Sequence, residues 1–227
     1  YQELVKRVTN ATLKAVTKRN DVTVTFASNG QGITNTEEGT QAQISNPPRS
    51  NNNNELDILR GEADAVALRL RYNNTETFNQ QRPTGGNSSE LFDVAEQTRV
   101  EALGSKRLSG TSKNLDRYYE ARCQEKGYHL VTDREDSQMA DAVGMLLRET
   151  LMGKPAPESA QPLIDTWRSW LEDKAGNRMS ELKTCMDNQK TFGQTVRDIL
   201  EDLELPIDSE SNTGDEKGND DTNEDSN

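Results

Sequence analysis

The chain has 227 residues, of which 31 % are hydrophobic and 29 % charged, and its formal net charge is -12. The mean hydropathy of -0.96 excludes a membrane-spanning segment, because no apolar stretch of about 20 residues is present. The acidic balance offers no basic stripe to neutralise phosphates, so nucleic acid is excluded as the expected partner. Cys123 and Cys185 lie far apart in the sequence, and this usage is typical of free thiols in a cytoplasmic protein.

The spacing of apolar residues predicts a mainly α-helical chain with a small β contribution near the N-terminus, an α+β fold. One strand is predicted over Val22–Phe26, where β-branched residues alternate. Helices are predicted over residues 3–19, 55–72, 88–103, 110–126, 136–152, 158–175, 179–186 and 187–205. Gly104 and Gly176 are predicted to end their helices. The polar segment 73–87 is compatible with a short strand.

Two segments are predicted to lie outside regular structure. Residues 28–54 are rich in Gly, Asn, Thr and Pro and are predicted to form a polar loop within a helical domain of residues 1–206. Residues 207–227 form an acidic tail with almost no apolar side chain to bury. Ordering such a tail costs about 1–2 kcal/mol of backbone entropy per residue, so we expect a disordered linker there.

A search for chemistry-bearing motifs finds no catalytic, cofactor-binding or metal-binding residue. Gly30-Gln31-Gly32 lacks the Lys and the following helix of a phosphate-binding loop. The two cysteines and one histidine are too few for a structural zinc site, which needs about four such ligands. His129 is, on its own, more often a surface or packing residue than a catalytic one.

The helix over residues 92–104 has a narrow apolar face and a wide polar face that carries Glu96, Arg99 and Glu101. One interpretation is a lattice of charges within the helix. The other is a partner-binding face formed by these three side chains, and we take it as the candidate contact site.

Trp167 and Trp170 lie three residues apart, next to Leu163 and Leu171. This spacing favours core packing of both rings on one helix face. A partner interface is the alternative interpretation.

Taken in order, several segments resemble the T subunit of aerobic cobaltochelatase. They are Val24-Thr25-Phe26-Ala27, Ala67-Leu68-Arg69-Leu70, the block from Phe92 to Gly104, Gly110 with Asn114-Leu115, Gly153-Lys154-Pro155-Ala156-Pro157, Trp167-Arg168-Ser169-Trp170 with Ala175-Gly176, and Asp187-Asn188-Gln189 through Phe192 to Thr195-Val196-Arg197-Asp198. The acidic tail is similar to that family's acidic linker. The resemblance lies in the ordered string of motifs and extends over nearly the whole chain.

This resemblance implies an enzyme that inserts cobalt, its substrate, into hydrogenobyrinic acid a,c-diamide during aerobic cobalamin biosynthesis. It implies an AAA+ ATPase partner that holds ATP and magnesium, a large corrin-binding subunit and a ring-shaped assembly. A von Willebrand A domain with a magnesium site is expected to follow the acidic linker, beyond this chain. The chain itself is expected to dock on the AAA+ subunit without catalysis. A helical adaptor or scaffold unrelated to metal insertion is the alternative.

Overall fold

A computed structural model describes residues 1–28, 30–135 and 138–207, and it contains eight α-helices and one three-stranded sheet in those ranges. The helices are α1 (Gln2–Thr17), α2 (Asn53–Tyr72), α3 (Thr75–Gln81), α4 (Gly86–Arg107), α5 (Ser109–Glu125), α6 (Met139–Met152), α7 (Gln161–Cys185) and α8 (Gln189–Asp202); the strands are β1 (Val22–Ala27), β2 (Gly32–Thr36) and β3 (Gly39–Ser45). The predicted α+β class, mainly helical with a small sheet near the N-terminus, is confirmed. The predicted disorder of the acidic tail concerns residues 208–227, which lie outside the described ranges.

The sheet corrects the prediction of a polar loop over residues 28–54, because β2 and β3 lie inside that segment. The strand order is β1-β3-β2, with β3 parallel to β1 and antiparallel to β2. Along β3 the buried residues Thr40, Ala42 and Ile44 alternate with Gln41 and Gln43. With only two apolar residues, this period-2 pattern is too weak to stand out in the sequence.

The sheet packs on α1 and α2 through a small apolar core that contains Leu13, Val22, Ile44, Leu59 and Val66. A polar contact also joins β3 to α2, because Glu62 Oε1 accepts hydrogen bonds from Ser45 N at 3.0 Å and Ser45 Oγ at 3.1 Å. Burial raises the pKa of Glu62, and the two donors of Ser45 oppose that shift. The small core and this polar contact together fix the position of the sheet against α1 and α2.

A larger core joins α4, α6, α7 and α8 and includes Trp167, which is 1 % exposed. Trp170 is half-buried at the edge of this core and meets the Trp167 ring edge-on, with the centroids 5.4 Å apart. The guanidinium of Arg134 lies over both rings, at 5.1 Å and 5.4 Å from their centroids. Core packing is thus confirmed for Trp167, whereas Trp170 lies between the core and the surface.

Three local predictions are wrong for identifiable reasons. α4 continues past Gly104 to Arg107, because Gly104 lies where α4 crosses Leu68 of α2 and serves close packing. α7 runs through Gly176 to Cys185, since a glycine inside a helix lowers helix stability without ending it. The polar segment 73–87 contains α3, which begins where the Asn74 side chain accepts a hydrogen bond from Thr77 N at 2.9 Å.

Replacement by alanine is expected to change the free energy of unfolding in opposite directions at Gly104 and Gly176. In Gly104→Ala the added Cβ would overlap the Leu68 side chain, whose Cγ is 2.9 Å away, so we expect a loss of about 1–3 kcal/mol in the free energy of unfolding. Gly176→Ala meets no atom closer than 3.9 Å and should gain about 0.5–1 kcal/mol from lower unfolded-state entropy. Urea unfolding of both variants measures this difference, and equal stability of the two would contradict the packing role of Gly104.

Replacing the tryptophans separately tests the core assignment. Trp167→Ala should lower the free energy of unfolding by about 3–5 kcal/mol, because a fully buried ring leaves a large cavity. Trp170→Ala should lower it clearly less, because that ring is only half-buried. Denaturant melts of the two variants measure both losses; a smaller loss for Trp167→Ala than for Trp170→Ala would contradict the assignment.

Candidate functional site

The three charged residues predicted on the polar face of α4 lie in the interior, with Glu96 3 %, Arg99 2 % and Glu101 0 % exposed. Arg99 Nε and Nη2 each donate to a different carboxylate oxygen of Glu96, both at 2.7 Å. The same guanidinium donates to Tyr72 O at 2.9 Å and to Met186 O at 3.2 Å. Arg99 therefore joins the C-terminal ends of α2 and α7 to α4.

Glu101 is held by donors from three helices. Arg148 Nη1 of α6 donates to Glu101 Oε2 at 2.7 Å, and Tyr119 Oη of α5 donates to Oε1 at 2.9 Å. Gln97 Nε2, one turn earlier on α4, donates to Oε1 at 2.8 Å. Burial and the nearby Glu101 carboxylate raise the pKa of Tyr119 well above its ordinary value, so its phenol stays a donor at neutral pH.

This geometry corrects the prediction that Glu96, Arg99 and Glu101 form a partner-binding face. In the folded chain their side chains meet other parts of the protein and are inaccessible to a docking partner. The i, i+3 spacing of Glu96 and Arg99 did indicate their mutual pairing. The partner of Glu101, Arg148, lies 47 residues away in sequence, and no local pattern could have identified it.

A cavity of about 220 Å³ lies beside this network, between α4, α5 and α6. Its lining includes Tyr119, Arg122, Cys123, Tyr128, Asp141 and Arg148. Burial raises the pKa of the Cys123 thiol to about 11, and burial together with Asp141 raises the pKa of Tyr128. The thiol is therefore protonated near neutral pH and is a poor nucleophile.

No group of three or more His, Cys, Asp or Glu side chains in the described ranges is placed to hold a metal ion. His129 is exposed in the short 3-10 turn Tyr128–Leu130, which follows α5. Within those same ranges, no helix has the length and apolar character to cross a membrane.

Several of the large apolar side chains that are exposed in the described ranges line a groove between α1 and α2, which we call the α1–α2 groove. Tyr1, Leu4 and Val8 line it from α1 and are 49 %, 54 % and 55 % exposed. Leu59 and Ala63 line it from α2, and the groove has a volume of about 420 Å³. The apolar spacing that predicts a helix over residues 3–19 does not distinguish Leu4 and Val8, which are exposed, from Leu13, which is buried.

α1 is fixed to the body of the protein by long-range hydrogen bonds at both of its ends. Gln2 Nε2 donates to Pro47 O at 2.9 Å, and Arg71 Nη1 donates to Val16 O at 2.8 Å. Buried contacts of Leu13 with the small core add to this attachment. The exposed apolar side of α1 is therefore presented by a helix in a defined position.

Comparison with known proteins identifies a family. The model of the family described as cobalamin biosynthesis protein CobT matches residues 1–227, the full length of the sequence. No solved structure matches the chain.

The buried ion pair of Glu101 and Arg148 gives a stability prediction. Arg148→Met should lower the free energy of unfolding by about 3–5 kcal/mol, because it leaves the Glu101 carboxylate buried without its counter-charge. The double variant Glu101→Gln/Arg148→Met should recover much of that loss, since no unpaired charge remains. Chemical denaturation measures both.

Arg107→Met is the matched control, because Arg107 pairs with Asp187 on the surface, where the side chains are 53 % and 79 % exposed. Its expected cost is roughly 0–1 kcal/mol. Equal costs for Arg148→Met and Arg107→Met would show that the buried pair contributes no more than a surface pair.

Proposed function

The chain belongs to the CobT family and has a role in cobalamin biosynthesis, and from this premise we propose that it is a subunit of the ATP-dependent cobaltochelatase. In this proposal the enzyme inserts cobalt into hydrogenobyrinic acid a,c-diamide in the cytoplasm. ATP and magnesium are held by the AAA+ partner subunit, and the corrin by the large subunit. The described helices dock on the AAA+ subunit in a ring-shaped assembly and take no part in the chemistry themselves.

The observation that carries the docking role is the exposed apolar surface of the α1–α2 groove. Five large hydrophobic residues are exposed in the described ranges, and three of them, Tyr1, Leu4 and Val8, lie on one side of α1. Contiguous exposed apolar surface of this kind marks sites of protein–protein contact. A partner subunit that covers these side chains removes them from water.

The interior of the helical body supports a docking role, because buried ion pairs fix the relative positions of its helices. Arg99 joins the ends of α2 and α7 to α4, and Arg148 joins α6 to α4. A platform built in this way transmits force between a motor subunit and a second partner with little internal rearrangement. The family membership favours this role over an adaptor unrelated to metal insertion.

Reconstitution with the AAA+ subunit and the large subunit of the same organism tests the proposal. We expect a stable complex of the chain with the AAA+ subunit in size-exclusion chromatography with light scattering. We expect neither ATP hydrolysis nor cobalt insertion by the chain alone. Omitting each subunit in turn is the control for which component supplies each activity.

Two results would contradict the proposal. ATP hydrolysis by the purified chain, free of the AAA+ subunit, would overturn the non-catalytic assignment. Failure of the wild-type chain to bind the AAA+ subunit, with either ATP or ADP present, would overturn the docking assignment.

A further inference from the structure

The outer side of α1 carries an apolar seam in a 3-4 repeat. The exposed residues of this seam are Tyr1, Leu4, Val8, Ala11 and Ala15. Other residues form the inward side of the same helix: Val5, Leu13 and Val16 pack in the small core. Apolar residues that alternate at spacings of three and four are the pattern by which one helix packs along another. α1 therefore has one side that packs on its own domain and a second side that the described residues leave uncovered and that suits a helix.

The groove beside this seam is lined by residues of both α1 and α2. Its α2 side offers Leu59 and Ala63, so that an incoming helix would contact α1 and α2 at once. The seam ends in the small residues Ala11 and Ala15, which permit a close approach of helix axes, at about 8–10 Å. An amphipathic helix laid into an apolar groove is a recurrent mode of recognition.

A basic ridge formed by Arg7, Lys14 and Lys18 runs along α1 beside the seam. These residues follow one another at spacings of seven and four, so they share one side of the helix. Among the described residues, none of the three makes an ion pair, whereas Lys6, on another side of α1, pairs with Glu3 at 3.0 Å. Lys14 and Lys18 complement the negative end of the helix dipole, but Arg7 lies too far from that end for this explanation.

The positive charge of this ridge contrasts with the formal net charge of the whole chain, which is -12. Within residues 1–19, five Lys and Arg side chains accompany a single carboxylate, that of Glu3. Opposite charges across an interface speed association and select the partner. A helix seated in the groove with Asp or Glu along one flank would bring those carboxylates to the ridge.

We infer that the α1–α2 groove binds an amphipathic helix of the partner subunit that has apolar residues at a 3-4 spacing and acidic residues along one flank. This inference deepens the proposed docking function and rests on it. A second copy of this chain fits less well, because its α1 would bring a second basic ridge to the same seam, and like charges there oppose association.

The test is a calorimetric titration of the AAA+ subunit with the wild-type chain and three variants, at low and at high salt. Leu4→Glu places a charge in the apolar seam. Arg7→Glu/Lys14→Glu/Lys18→Glu reverses the ridge. The control Lys106→Glu/Lys183→Glu/Lys190→Glu makes the same change in net charge at exposed positions of α4, α7 and α8.

We expect Leu4→Glu and the ridge reversal each to weaken binding by more than about tenfold, and the control to stay within about twofold of wild type. Wild-type affinity should fall as salt rises, and the ridge reversal should lose that dependence. Thermal melts establish that each variant is folded. If the triple reversal melts early, Arg7→Glu alone provides the same test from the middle of α1.

The outcomes separate this inference from the docking proposal. If the wild-type chain binds the AAA+ subunit and both groove variants bind equally well, the groove inference is overturned and docking stands. If Leu4→Glu weakens binding and the ridge reversal does not, the acidic flank is overturned. Self-association of the wild-type chain that Leu4→Glu abolishes would assign the groove to a second copy. If the wild-type chain does not bind, docking itself fails, and the inference fails with it.

Discussion

The arrangement of the helices depends on the ion pair between Glu101 and Arg148, from which water is almost excluded. A carboxylate and a guanidinium can be buried only when each finds its partner and further hydrogen bonds. Glu101 meets this condition with donors from Arg148, Tyr119 and Gln97. Because these donors come from α6, α5 and α4, the pair requires the three helices to adopt one relative position.

Close helix crossings complement this polar constraint. Gly104 brings α4 against Leu68 of α2, and Gly144 brings α6 against Val94 of α4. A Cβ at either position would overlap the facing side chain. Apolar packing alone tolerates small shifts along a helix, whereas the buried charges do not, since a shift would leave a charge unpaired. The close helix crossings and the buried ion pairs together hold the helices, and the surfaces they present, in fixed relative positions.

The exposed apolar residues of the α1–α2 groove contrast with the buried charges of α4. α1 contributes Leu13 to the small core and turns Leu4 and Val8 toward solvent. The charged side chains of α4 are buried, while the apolar seam of α1 is exposed. Both arrangements are the reverse of the usual one, in which apolar side chains are buried and charged side chains are exposed. In α4 the inversion is compensated by pairing within the chain. In α1 no described part of the chain covers Leu4 and Val8, and this difference is why we propose that a partner contacts α1.

The sequence by itself determined the helical class, a first strand over Val22–Phe26, the buried Trp167 and the family, because these depend on local periodicity and on the order of motifs. Only the tertiary structure decided that β2 and β3 form a sheet, since their pairing with each other and with β1 replaces the weak apolar pattern of residues 28–54. It also decided which side of α4 is buried, because the partner of Glu101 lies on α6. It decided as well that α1 has two apolar sides, of which one packs on α2 and the sheet and the other is exposed among the described residues. Local spacing tells which residues share a helix face, but what that face meets depends on residues distant in the chain.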